Sequence, residues 1–408
     1  MPIAVYMLGL AVFAQGTSEF MLSGLVPGIA RDLHVSVSAA GALTSAFAVG
    51  MIVGAPLTAV LGIRWPRRRA LLVFLIAFMI VHVVGAITTS FAVLLAARVA
   101  GALANAGFLA VGLATATALA GPAAKGRAAS VLLGGITLAC VAGVPAGAVL
   151  GQLWGWRSAF WAVALVSVPA VVAVARSVPA TPPGAAAPDA RRELRALRRP
   201  RLLVVLLLGA LVNGATFCTF TYLAPVITDV AGYGRHWVPV LLALFGLGSF
   251  AGVSIGGRMA DTRPMRLLLP GGLALLAGWV LFGAAAGDTA AVFVLVFTQG
   301  TLSFAVGSTL ITRALYAASD APSLGGSFAT AALNVGATAG PLLGGAAIDA
   351  GLGYRGPLWV SALLVALAFA AAAPAFPALA ARRAGEPGTA AEAARNDDDR
   401  EDGPVRST

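Results

Sequence analysis

Long apolar runs separated by short polar breaks repeat from one end of this 408-residue chain to the other. Asp, Glu, Lys and Arg are absent from residues 35–63, 128–156, 158–175, 202–228, 237–257, 267–287, 289–312, 321–348 and 356–381. Residues 70–124 are equally clean apart from Arg98. A bilayer-spanning helix needs ~20 predominantly apolar residues, so each run predicts a crossing. The predicted spans are 3–27, 38–62, 70–89, 91–119, 127–152, 158–176, 202–226, 237–260, 265–286, 289–315, 324–348 and 357–380. The polar turn Thr88-Thr89-Ser90 divides residues 70–119, which are too long for one crossing. The expected fold is an all-α integral membrane protein of twelve transmembrane helices.

Two segments break the pattern. Residues 177–201 carry Pro179, Pro182, Pro183 and Pro188 and then an arginine-rich stretch, and read as a linker whose basic part can lie on a leaflet. From Arg382 onward the chain is polar and charged and is expected to be disordered. The organisation is therefore an N-terminal six-helix bundle (1–176), a cytoplasmic linker (177–201), a C-terminal six-helix bundle (202–381) and a cytoplasmic tail (382–408). The halves match at a constant offset of 198: Gly16/Gly214, Pro27/Pro225, Phe47/Phe245, Gly50/Gly248, Gly54/Gly252, Pro66/Pro264, Gly147/Gly345, Gly155/Gly353, Arg157/Arg355 and Trp161/Trp359. A parallel repeat of two six-helix halves is the layout of major-facilitator-type secondary transporters, which bind substrate between the halves near mid-membrane.

Charge then fixes orientation. The chain is 59% hydrophobic, only 11% charged, and has a net charge of +11. The excess is not a nucleic-acid footprint, because it is confined to alternate loops. Arg64, Arg67, Arg68 and Arg69, then Lys125 and Arg127, then six arginines from Arg191 to Arg201, then Arg258, Arg263 and Arg266 fall on one side. The positive-inside rule makes that side cytoplasmic, with both termini there. A multi-pass protein of the inner (plasma) membrane is expected, in contact with lipid and monomeric.

Glu19 and Arg98 are the charges kept away from the ends of predicted spans, where an ionisable group costs at least ~2.5–3.5 kcal/mol. Counted from the predicted helix ends, both lie ~10 Å below the outer surface. Two readings fit: Glu19 carries a coupling proton whose affinity Arg98 tunes, or the two form a static structural pair. His82 at similar depth either joins a proton relay or packs. Gln15, Asn105, Asn213, Gln299 and Asn334 either bind a polar ligand or join helices. Phe217, Tyr222 and Phe304 are candidates to contact an aromatic ring.

Glycines spaced four apart mark close helix approach: Gly143, Gly147, Gly151 and Gly155; Gly248, Gly252 and Gly256; Gly336, Gly340 and Gly344. Pro145 and Pro341 add bends to two of these helices, which suits either plain packing or halves that rock.

Enzyme and pump readings find no support in the sequence. Gly351-Leu-Gly-Tyr-Arg-Gly356 fits a dinucleotide glycine pattern, yet it joins two membrane spans. Gly121-Pro-Ala-Ala-Lys-Gly126 lacks phosphate-loop spacing, and no His/Cys/acid cluster suggests a metal. Cys140 and Cys218 read as small buried hydrophobes. No enzyme and no cofactor is expected.

Several motifs also resemble a known family. Gly143-Val-Pro-Ala-Gly-Ala-Val-Leu-Gly-Gln-Leu-Trp-Gly-Trp-Arg157 looks like the helix-5 antiporter motif of the drug:proton antiporter branch of the major facilitator superfamily, and Gly340-Pro-Leu-Leu-Gly-Gly345 looks like its second copy. Arg64-Trp-Pro-Arg-Arg68 and Gly257-Arg-Met-Ala-Asp261 resemble the helix 2–3 gate signature and its repeat. In the first copy Ile63 stands where the family has aspartate. Ala14-Gln-Gly-Thr-Ser-Glu-Phe-Met-Leu-Ser-Gly24, Gly101-Ala-Leu-Ala-Asn-Ala-Gly-Phe108, Asn213-Gly-Ala-Thr-Phe217 and Gly300-Thr-Leu-Ser-Phe-Ala-Val-Gly307 resemble bacterial chloramphenicol-resistance exporters. The resemblance implies efflux of chloramphenicol driven by the proton gradient. It also implies gating roles for Arg64, Arg67, Arg68 and Asp261 and hinge roles for Gly143, Pro145, Gly147, Gly340 and Pro341. Export of sugars or other small metabolites is the alternative; a non-transporting membrane sensor would leave the repeat unexplained.

Overall fold

The computed structural model describes residues 2–62, 65–121, 124–179, 195–260, 264–318 and 325–373, and these contain helices and no strand. The first half holds α1 (Ile3–Phe20), α2 (Leu22–Asp32), α3 (Val37–Gly62), α4 (Arg67–Ile87), α5 (Phe91–Ala120), α6 (Lys125–Leu138), α7 (Val144–Trp154) and α8 (Trp156–Ser177). The second holds α9 (Pro200–Thr221), α10 (Leu223–Pro225), α11 (Trp237–Met259), α12 (Pro264–Ala285), α13 (Thr289–Ala317), α14 (Gly325–Ala347) and α15 (Gly356–Ala372).

Eleven helical stretches among the described residues are long and apolar enough to cross a membrane. The last of them covers 48 residues, Gly325–Ala372, about 70 Å at ~1.5 Å per residue against a hydrocarbon core of ~30 Å. Gly351 at φ 88° and Gly353 at φ 61° turn the chain within it, a conformation open to glycine, so α14 and α15 are separate crossings. Twelve crossings result.

Local chemistry explains the breaks. Ser90 caps α5 by accepting from the Val93 N–H, and Asp288 caps α13 by accepting from the Ala291 N–H at 2.9 Å. These caps are 288 − 90 = 198 positions apart, so the repeat extends to the start signals of spans 4 and 10. Pro145 cannot donate to the turn before it, and there the helix widens into a π turn at Ala139–Gly143 between α6 and α7. The sequence predicts an unbroken span over 127–152; the structure puts this step in its middle. The first span likewise breaks at Met21, then runs on through Pro27 to Asp32 instead of ending at residue 27. The start of the linker region beyond residue 194 is a single 3₁₀ turn, Arg195–Arg198. The rest of the predicted linker, and the tail from residue 374, lie outside the described residues.

Within the first half the crossing α1/α2 packs on α6/α7, α3 on α5, and α4 on α8. The second half repeats the same pairings: α9 with α14, α11 with α13, and α12 with α15. Between the halves, α3 packs on α14 and α11 packs on the α6/α7 crossing, a reciprocal pair of seams. The glycine faces serve the pairings within each half. A Cβ at Gly143, Gly147 or Gly151 would meet Thr17, Met21 or Leu25, one helical turn apart on the first span. At Gly336 and Gly340 it would meet the carbonyls of Ala210 and Gly214. Close approach explains these glycines.

Most of the hydrogen bonds across the seams lie toward one end, while Cys140 meets Ser249 in the middle of the α11 seam. Ser38 donates to Asp349 at 2.7 Å, Ser45 to the Thr338 carbonyl at 2.8 Å, and Gln152 to the Arg235 carbonyl at 2.6 Å. At that same end Arg157 bonds Asp32 and the Thr88 carbonyl, and stacks on Trp156, which itself donates to Asp32. Its repeat partner Arg355 reaches the Ala284 carbonyl at 3.5 Å. Both arginines therefore sit at helix C-termini, where the dipole favours a cation.

The Arg157 guanidinium holds the Asp32 carboxyl below its usual range, outweighing partial burial. A depressed carboxyl contributes stability above its unfolded value of roughly 3.9 and loses it as pH falls through the lowered folded value. The pair is largely solvent-exposed, which limits its worth to under ~1 kcal/mol. Asp32→Asn should thus lower the melting temperature slightly at pH 7, and the difference from wild type should close below about pH 4.

Candidate functional site

The polar centre of the first half is a directed chain of hydrogen bonds linking α5, α1 and α4. Arg98 is 2% exposed and donates through Nη1 to the Ser18 carbonyl at 3.0 Å and to Ser18 Oγ at 2.9 Å. Ser18 Oγ also lies 2.6 Å from His82 Nε2, while His82 Nδ1 lies 2.7 Å from the Phe78 carbonyl. Guanidinium only donates and a carbonyl only accepts, so both ends of the chain are fixed. Ser18 accepts from Arg98, His82 carries a proton on Nδ1, and with a neutral imidazole Ser18 donates to His82 Nε2. Phe78 and Phe160 flank the imidazole, at 4.1 and 5.8 Å between centroids.

Arg98 is held but not saturated. Its guanidinium carbon lies 4.4 Å from the Phe47 ring centroid, a cation–π contact, yet Nε and Nη2 have no hydrogen-bond partner among the described residues. A buried cation with unmet donors strongly favours an approaching anion. Glu19 is the next residue after Ser18 and is partly exposed, within electrostatic reach of Arg98 and of Cys140 in the π turn. The only ion pair among the described residues is Arg157–Asp32. Arg98 thus bonds Ser18 rather than Glu19.

The depth of the pair also differs from expectation. Because the first span continues to Asp32, roughly 20 Å of helix separates Glu19 from the end of that span, instead of ~10 Å. Glu19 consequently sits near mid-membrane, level with Arg98 through Ser18.

Phe20, the residue after Glu19, lines a small cavity of about 10 Å³, with Cys140 of the first half and Thr216, Phe217, Phe220, Phe245 and Phe304 of the second. Phe20 packs against Phe217 at 5.7 Å and Phe220 at 6.3 Å, and Phe220 against Phe245 at 4.7 Å. Phe217 and Phe304 are among the residues expected from sequence to contact a ring. Phe20, Cys140, Thr216, Phe220 and Phe245 are not. Phe217 and Phe220 are spaced i, i+3 on one helix face, a signal the sequence did contain.

The structure gives the other candidates different partners. Tyr222 is buried on the α3/α14 seam, donating to the Pro341 carbonyl at 2.8 Å, and it does not line the cavity. Asn213 donates to the Leu333 carbonyl, Asn334 to the Thr330 carbonyl, Asn105 to Met51 Sδ and Gln299 to the Leu275 carbonyl. The amides of Asn213, Asn105 and Gln299 tie helices of the same half, whereas Asn334 bonds back within its own helix. Gln15 is buried with no partner for either amide atom among the described residues. Arg67 and Arg68 open α4 with half-buried side chains, whereas Arg64 and Asp261 lie outside the described residues.

Residues 8–329 match the model of the Major Facilitator Superfamily. A chloramphenicol resistance protein of Streptomyces lividans is 58% identical over 377 residues, covering 92% of this chain and 96% of that one. A chloramphenicol efflux pump of Mycobacterium tuberculosis (strain ATCC 25618 / H37Rv) is 34% identical, over 83% of this chain and 84% of the other. In fold, the chain is similar to a bacterial homolog of the human lysosomal transporter Spinster, with a TM-score of 0.74, 18% identity and coverage of 93% and 96%. Twelve crossings arranged as reciprocal six-span halves agree with these matches. The chain is a multi-pass membrane transporter and belongs to the Major Facilitator Superfamily.

Proposed function

We propose that this protein exports chloramphenicol, exchanging each molecule for protons that move inward through Glu19. The observation that carries the reading is the placement of Glu19: a mid-membrane carboxyl beside an unsaturated buried arginine and next to an aromatic cavity shared by both halves. The 58% identity to a chloramphenicol resistance protein supports the choice of substrate. The cavity of about 10 Å³ has to widen before a nitrophenyl ring can enter, and its wall of five phenylalanines with Thr216 suits such a ring once the halves part. A sugar needs many more hydrogen bonds than that wall offers.

In this reading the end bearing Asp32 and Arg157 is outside and both termini are cytoplasmic, which the distribution of arginines supports. The bonded seams then seal the outer face, and the cavity belongs to an inward-facing state. Glu19 gains a proton on one side and releases it on the other as the halves rock. The π turn before Pro145 and the tight glycine contacts of Gly143, Gly147 and Gly340 serve as the joints within each half, and Arg67 and Arg68 stand at the cytoplasmic gate. The transporter works as a monomer and needs no cofactor.

Inside-out vesicles test this reading: radiolabelled chloramphenicol should accumulate when the interior is made acidic and should leak away when a protonophore is added. Uptake indifferent to the gradient would overturn it. Phe220→Ala removes the ring that contacts both Phe20 and Phe245. An aromatic pair is worth ~0.5–1.5 kcal/mol beyond its buried area, so the KM for chloramphenicol should rise about 2–12-fold.

A further inference from the structure

We propose that Ser18 is a positioning residue that holds Arg98 away from Glu19, so that the carboxyl is free to take a proton in the state described here. This rests on the proton-exchange reading of Glu19. Ser18 presents both its carbonyl and its hydroxyl to the same guanidinium nitrogen, Nη1 of Arg98. The hydroxyl accepts from Arg98 because a guanidinium only donates, which leaves its own hydrogen for a neutral His82 Nε2. His82 is in turn fixed by its bond to the Phe78 carbonyl and by the rings of Phe78 and Phe160. The histidine thus orients the serine, and the serine orients the arginine.

The consequence lies in the neighbouring residue. Ser18 and Glu19 are consecutive on α1, about 100° apart around the helix axis, so the guanidinium position that serves Ser18 differs from the one that would pair it directly with Glu19. With Nη1 bonded to Ser18, Nε and Nη2 remain without a partner, so it is the position of the guanidinium and not a shortage of donors that leaves Glu19 with no ion pair among the described residues. A carboxyl without a direct counter-ion favours its neutral form, and a bonded arginine favours its ionised form. Movement of α1 against α5 would transfer Arg98 from Ser18 to Glu19 and expel the proton. The break at Met21 lies two residues beyond Glu19 and provides a place for that movement.

The titratable or charged groups facing this cluster are Glu19 on α1, His82 on α4, Arg98 on α5 and Cys140 in the π turn. The packed elements α3, α8 and α9 contribute Phe47, Phe160, Phe217 and Phe220, which do not titrate. In this arrangement His82 acts by fixing the direction of the hydroxyl; its Nδ1–H stays on a backbone carbonyl. That role differs from a proton relay in a measurable way.

The test is the pH profile of chloramphenicol transport in proteoliposomes for wild type, Ser18→Ala, His82→Gln and Ser18→Ala/Glu19→Gln. Without the hydroxyl, Arg98 turns to Glu19 and the midpoint should move to lower pH by about one to two units, the scale of a hydrogen bond to a charged group. His82→Gln should move it in the same direction and keep coupling. The double variant should show no midpoint at all. Gel filtration and thermal melting establish that each variant is folded; if Ser18→Ala is not, His82→Gln carries the test. An unmoved midpoint in the folded variants would overturn the positioning role, as would loss of coupling in folded His82→Gln. A wild-type profile flat in pH would instead overturn the proton-exchange reading beneath it.

Discussion

Glu19→Gln is expected to abolish uphill transport. A one-unit pH gradient sustains up to ~10-fold accumulation for one proton exchanged per molecule, because tenfold in concentration corresponds to about 1.4 kcal/mol. Glutamine keeps the size and hydrogen-bonding reach of the side chain but cannot titrate, so the accumulation ratio should fall to about one whatever gradient is imposed. Two features make this residue the source of the effect. Its carboxyl is the acid placed on α1 beside Ser18 and within electrostatic reach of Arg98. The acids Asp32, Asp288 and Asp349 instead sit at helix ends or turns, pairing with Arg157, capping α13 and accepting from Ser38. Steady-state accumulation in vesicles, measured at several imposed gradients, checks the prediction. A Glu19→Gln protein that still concentrates chloramphenicol would refute the assignment.

The second large effect is expected at Gly246, on the seam between the halves. A Cβ there would strike the Cys140 carbonyl oxygen, and would lie 2.7 Å from the Cys140 carbonyl carbon and 3.0 Å from Val141 Cα. All three are backbone atoms of the π turn, so no rotamer change relieves the contact. The widened turn is what pushes this carbonyl toward α11, and only glycine leaves room for it. Overpacking of this kind costs typically 1–3 kcal/mol. Here it falls on the joined state of the two halves rather than on the fold of either one. A penalty of that size shifts a two-state equilibrium roughly 5–150-fold, and turnover in Gly246→Ala should drop by a similar factor. Cys140 reports the event directly, since it is 9% exposed and Cys218 is fully buried. In a Cys218→Ser background, the maleimide reaction of Cys140 should be faster in Gly246→Ala than in the parent. Equal rates, with equal turnover, would show that the seam does not close during transport.

Much of this fold is legible in the sequence because the bilayer imposes a strong constraint. Charge exclusion over about twenty residues identifies the spans, and the offset of 198 anticipates the paired seams and even the caps Ser90 and Asp288. Breaks inside spans leave a weaker trace. Pro145 and Pro27 look alike as bend signals, yet one accompanies a π turn and the other lies within a continuous α2. That difference arises from packing, since α6/α7 must fit against both the first span and α11.

The site was half visible. Glu19 and Arg98 stand out because each is costly in lipid, and their nearness follows from neighbouring spans. Ser18 does not stand out, because a serine in a membrane helix commonly bonds its own backbone, as Ser167 does to the Val163 carbonyl. Its importance comes only from the two side chains that converge on it. The repeat also conceals a divergence: Phe47 and Phe245 occupy equivalent positions, but Phe47 supports Arg98 while Phe245 lines the cavity. Tyr222 illustrates the converse, an aromatic hydroxyl that looks like a ligand contact and instead seals a seam beside Gly41 and Gly345.

The most direct measurement is of the proton itself. Proteoliposomes holding a pH-sensitive dye, with no gradient imposed at the start, are given chloramphenicol on one side. Exchange predicts that the compartment receiving the drug becomes more alkaline, in wild type but not in Glu19→Gln, as protons leave it in the opposite direction. Chloramphenicol movement through the wild-type protein with no change in pH would contradict the account.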